Sequence, residues 1–254
     1  MKISVKQILV IFATLVMLTI NALANILPLN GLNTGQISDQ FKVFFVPAGY
    51  VFSIWGVIYL LLAAFTIFQA LPPQRNTSEL ERIRGWYILG SLANAAWIFF
   101  WHYQIFDLTL LMMLTLLVSL LFIYVALRGI RINGSRAMKW LVRLPFSVYL
   151  GWITVATVAN VTDVLAYHNW TGFGIAGETW AMIMLGVAVV LAALMTVFNR
   201  DVAYLAVLVW AFAGIGVKFA GVSPVSLAGY IAAGLVALMF LACLLVKPRQ
   251  GARI

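Results

Sequence analysis

Two amides, one carboxylic acid and a set of indole and phenol rings interrupt stretches of this chain that are otherwise apolar. Asn94 and Trp97 stand three residues apart, with Phe100 and Trp101 close behind; Tyr149–Trp152 and Asn160–Asp163 repeat that spacing. Upstream, Phe52, Trp55 and Tyr59 fall at intervals of three and four in the run that begins at Pro47. Helical residues three or four apart share a face, so each set forms one patch. An amide or acid in hydrocarbon must face a partner, the bundle interior or a water-filled cavity. Aromatic faces with a few polar groups suit a pocket for a large flat or apolar ligand. The same residues also suit interfacial aromatic belts, with the amides joining helices to one another. Spacing alone leaves both readings open and leans slightly to the second.

Other chemistry is sparse. The chain lacks H-E-x-x-H, C-x-x-C and a P-loop lysine. Gly172–Gly177 spells G-x-G-x-x-G, but it links two apolar runs without a preceding strand, so it reads as a loop and not a dinucleotide site. His102 and His168 lie near one predicted interface without carboxylate or cysteine companions in sequence, which favours interfacial side chains over metal or haem ligands. Lys218 sits close to the end of its run and reads as a snorkelling cation, not a Schiff base. No catalytic residue or metal site is assigned; Asp163 is the one modest acid–base candidate. The lone Cys243 allows no disulfide framework within the chain.

The elements that must position these residues are membrane helices. Of the 254 residues, 64% are apolar and 9% charged, far from the roughly 45–50% and 25% of soluble domains. Apolar runs of spanning length fall at about 8–27, 47–70, 85–105, 108–127, 144–163, 179–198, 202–221 and 225–246, which predicts an all-α integral membrane protein with about eight spans. Ser78 and Glu81 suggest a capping box, while Asp107, Glu178 and Asp201 open runs as dipole-complementing or capping acids. The net charge of +9 is scattered between apolar runs, which points to anionic lipid and away from nucleic acid. With the N-terminus inside, every Lys and Arg except Lys42 and Lys218 falls on the cytoplasmic side, so both termini are expected there. Met1–Ala24 could alternatively be a signal peptide ending in Ala22-Leu23-Ala24, but Asn21 and Asn25 look like inward-facing polar residues of a retained span.

These residues carry a resemblance to the TspO/MBR family, the tryptophan-rich sensory proteins that include the mitochondrial translocator protein. Pro47, Tyr50-Val51-Phe52, Trp55 and Tyr59 resemble its second-helix pattern. Asn94, Trp97 and Phe100 resemble the third helix, and Tyr149-Leu150-Gly151-Trp152, Ala156 and Asn160 the fifth. Tyr50 stands where the family has tryptophan, Ile54 where it has proline, and Leu144-Pro145 lies farther upstream of Trp152 than the family's proline does. The likeness covers about residues 1–165; 166–254 then form a three-helix extension.

The resemblance implies a five-helix bundle that binds a tetrapyrrole-like or sterol-like ligand, with Trp55 and Asn94 at ligand-contacting motif positions. The expected ligand-binding set is Tyr50, Phe52, Trp55, Tyr59, Asn94, Trp97, Tyr149, Trp152 and Asn160. The expected function is a binding or sensory protein for a hydrophobic small molecule such as porphyrin, haem or sterol. The alternatives are a transporter of such a ligand or a membrane enzyme acting on porphyrin or lipid. The expected location is a bacterial-type plasma membrane, and a homodimer is an expected assembly. The polar loop at 28–46 suits a lid over the outward mouth of the cavity.

Overall fold

The computed structural model describes residues 3–26, 29–130 and 134–245, and every regular element in them is helical. Eight long helices dominate: α1 (Val5–Ile26), α2 (Ile54–Ala70), α3 (Ser78–His102), α4 (Phe106–Ala126), α5 (Leu144–Tyr167), α6 (Gly177–Asn199), α7 (Val202–Lys218) and α8 (Ser223–Leu245). Among the described residues, six apolar segments, drawn from α1, α2, α4, α5, α6 and α8, are long enough to cross a membrane. Helix α7 is equally apolar but has only 17 residues. In α3, Glu79, Glu81, Arg82 and Arg84 occupy the first turns, and the apolar stretch begins at Gly85. The protein is an all-α integral membrane protein.

Two compact units divide the chain: Met1–Val43 with Phe52–Thr171, and Phe44–Val51 with Gly172–Ile254. In the first unit the main packing pairs are α1–α3, α3–α4, α4–α5, α5–α2 and α2–α1, which close a ring of five helices. In the second, α6, α7 and α8 all pack on one another. Gly229 approaches Gly216 so closely that a Cβ would stand 2.7 Å from the Gly216 nitrogen, and Ser226 Oγ donates to the Gly216 carbonyl at 2.8 Å. Small residues let the α7 and α8 backbones meet this closely.

Several helix ends depart from expectation. Helix α3 has Thr77 as its N-cap without a side-chain cap bond; Ser78 Oγ donates instead to Glu79, and Glu81 is drawn to Lys6 at 2.9 Å and to Arg84. The capping box is therefore not formed, because Glu81 has two cationic partners. Asp201 does cap α7, accepting from the Tyr204 backbone N–H at 3.2 Å. Residues 139–143 form a wide π-turn ahead of α5, and buried Arg143 donates there to Tyr124 Oη at 3.1 Å. The G-x-G-x-x-G stretch is a turn, with Gly172 and Gly174 at φ +64° and +78°, leading into α6. Lys2, Arg131, Lys247, Arg249 and Arg253, all part of the charge asymmetry, lie outside the described residues, as does the Asn25 side chain.

Candidate functional site

The aromatic spacing of α2 and α5 produces a cluster inside the first unit. Trp55, one turn before Tyr59, stacks on it with centroids 5.4 Å apart. The same indole meets Tyr149 and Trp152 edge-on, each at 6.0 Å, and Phe52 meets Trp152 edge-on at 5.7 Å. Trp152 and Tyr149 are buried, whereas Phe52, Trp55 and Tyr59 are half-buried. Edge-to-face pairs at these distances are the favoured aromatic geometry.

A chain of hydrogen bonds runs beside the rings. Tyr59 Oη donates to Asn21 Oδ1 at 2.5 Å, Asn21 Nδ2 to Asn94 Oδ1 at 2.7 Å, and Asn94 Nδ2 to Tyr149 Oη at 2.9 Å. It crosses α2, α1, α3 and α5 in turn, and three of its four members are buried. A second set sits farther along α3. Trp97 Nε1 donates to Asn160 Oδ1 at 3.2 Å, and Asn160 Nδ2 donates to Thr109 Oγ1 at 2.9 Å, bringing in α4.

The expected site residues thus fall into three places. Phe52, Trp55, Tyr59, Tyr149, Trp152 and Asn94 come together; Trp97 and Asn160 form the second set. Tyr50 belongs to the other compact unit, edge-on to Trp210 at 5.3 Å. Asn21 and Thr109 complete the two networks without having been expected at the site. Asn21 was legible as an amide inside a span, while Thr109 carries no signal beyond being polar in an apolar run.

One donor in the cluster is unmatched: Trp152 Nε1 is buried with no hydrogen-bond partner among the described residues. The side chain around it is 2% exposed. Leaving such a group unbonded costs about 1–3 kcal/mol, and buried exceptions of this kind call for a reason.

Both histidines stand at helix ends, His102 closing α3 and His168 following α5. His102 is buried at 1% exposure; its Nδ1 lies 2.8 Å from the Ile98 carbonyl, one helical turn back. His168 is exposed but has a carboxylate companion, Asp107, at 2.7 Å, supplied from a distant part of the chain. The loop after α1 is tied down at several points. Asn30 Nδ2 donates to the His102 carbonyl at 3.0 Å, Trp101 Nε1 to the Thr34 carbonyl at 3.1 Å, and Phe41 meets Phe106 edge-on at 4.9 Å. Asn33 and Gln36 form a full capping box on the short helix Thr34–Ser38.

With this arrangement in view, the family comparison is decisive: the model of the TSPO-like protein family matches residues 7–242. The chain belongs to the TSPO-like protein family. The match takes in the aromatic cluster, both amide networks, α6, α7 and most of α8. No curated protein and no solved structure matches the chain.

Proposed function

We propose that this TSPO-like protein binds a flat, largely apolar small molecule of tetrapyrrole-like character against the aromatic cluster of α2 and α5. The observation that carries the reading is the unmatched Trp152 N–H, set among Phe52, Trp55 and Tyr149 while the neighbouring amides are bonded. An acceptor atom on a ligand would satisfy it, and the half-buried faces of Trp55, Tyr59 and Phe52 would cover the ligand's flat surface. Asn94 holds the cluster together in this reading, since both ends of its amide are engaged by Asn21 and Tyr149. Trp97 and Asn160, farther along α3 and α5, fasten those helices to each other and to α4.

The protein acts as a binder or sensor, placed in a bacterial-type plasma membrane with both termini cytoplasmic. The lopsided distribution of lysine and arginine supports that orientation. The test is native purification followed by mass spectrometry of co-purifying small molecules, for wild type and Trp55→Ala in parallel. An aromatic macrocycle or polycycle enriched with wild type and depleted in Trp55→Ala is expected. Equal recovery with both proteins would overturn this assignment.

A further inference from the structure

We propose that the three-helix unit is a positioning element for α2, with Trp210 and Gly214 as its positioning residues acting through Phe44–Val51. Although these eight residues directly precede the site helix, they belong to the compact unit of α6–α8. Their contacts there are specific. Ala48 N–H donates to the Gly214 carbonyl at 3.1 Å, and Trp210 Nε1 donates to the Val51 carbonyl at 3.1 Å. Tyr50 sits edge-on to Trp210, and Phe44 lies 5.4 Å from Phe219.

Gly214 makes this seat possible. A Cβ there would stand 2.2 Å from Val51 Cγ2 and 3.2 Å from Pro47 Cβ. Its φ is not left-handed, so close approach, and not backbone freedom, is what the absent side chain serves. Val51 is fully buried and β-branched, so it has few alternative rotamers with which to escape a clash.

The hold reaches the site through helix continuity. Val51 lies in the 3₁₀ turn Gly49–Ser53, which runs without a break into Ile54–Ala70. Trp55 is one turn beyond Val51, about 6 Å along a helix rising 1.5 Å per residue. A shift or rotation imposed on Val51 is therefore delivered to the ring that meets Tyr59, Tyr149 and Trp152.

The effect on ligand rests on the binding reading above; the effect on α2 does not. The full-length protein in detergent is compared as wild type, Gly214→Ala, Val51→Ala, Gly214→Ala/Val51→Ala and Trp210→Phe. Amide hydrogen exchange is followed over 44–60, and protoporphyrin IX is titrated by tryptophan quenching. Gly214→Ala should speed exchange of the Ala48 amide and of the Phe52–Ile58 peptide by about tenfold, the usual scale of an overpacked contact. Trp210→Phe should do the same more weakly, and both should weaken protoporphyrin. In the double variant, loss of Cγ2 should return exchange and affinity to the Val51→Ala level, a rescue that general destabilisation would not give. Fast exchange confined to Ala48, with the Phe52–Ile58 peptide unchanged, overturns the inference, as does failure of the double variant to rescue. If wild type does not bind protoporphyrin, the binding reading fails, and the exchange data alone decide this inference by the same criteria.

Discussion

Asn94 Nδ2 donates to Tyr149 Oη at 2.9 Å, which fastens the middle of α3 to the site face of α5. Since Asn94 also accepts from Asn21, its amide is the centre of a four-helix chain that ends at Tyr59. Asn94→Ala leaves Asn21 Nδ2 and Tyr149 Oη each without this buried partner. Hydrogen bonds between membrane helices contribute up to about 1–2 kcal/mol, so a loss of stability on that scale is expected. Melting of purified Asn94→Ala in detergent against wild type checks this; an unchanged melting temperature would show the chain to be energetically idle.

The helices themselves were largely legible in sequence, because runs of apolar residues bounded by acids, prolines and glycines admit few other readings. The spacing of Phe52, Trp55 and Tyr59, and of Tyr149 and Trp152, likewise foretold shared faces, and the rings do meet. What spacing could not give was partner choice across helices. Asn94 and Asn160 both looked like site amides, yet they belong to separate networks, with Tyr149 and with Trp97 and Thr109. The Ser78–Glu81 pattern failed as a capping box because Lys6, 75 residues away, takes the glutamate. Tyr50 and Phe52, two residues apart, belong to different compact units, which no local pattern reveals.

Glu81 gives the stability a pH signature at the charged end of α3, outside the apolar stretch. Its hydrogen bond from Lys6, aided by the nearby Arg84 charge, holds its carboxyl below the ordinary glutamate value. A depressed folded pKa stabilises the fold above the unfolded value, about 4.3, and that contribution is lost as pH falls through the folded value. Arg84, fully buried, loses a carboxylate partner in the same step, keeping Gln69 and the carbonyls of Gln74 and Arg75. Wild type should therefore melt progressively earlier in acid, and Glu81→Gln should show a flatter profile over that range. Parallel profiles for the two proteins would show that Glu81 does not set the acid sensitivity.

Topology has its own test. Residue 136 is exposed and falls in the basic connection before α5, and Trp170 is partly exposed in the loop after it. In a Cys243→Ser background, a cysteine at 136 should be labelled only from the cytoplasmic side and one at 170 only from the opposite side. Labelling of both from one side, or of each from the reverse side, would contradict the proposed orientation.

In the proposed site, Trp152 N–H donates to an acceptor atom on the ligand. Benzothienylalanine at position 152 keeps the bicyclic shape and removes only the N–H donor. Because that donor is unmatched among the described residues, its removal should leave the melting temperature unchanged or raise it. A ligand hydrogen bond is worth about 0.5–1.5 kcal/mol, so the protoporphyrin IX Kd, read by quenching of the remaining tryptophans, should rise by up to about tenfold. An unchanged Kd in the folded variant would show that no ligand atom accepts from Trp152.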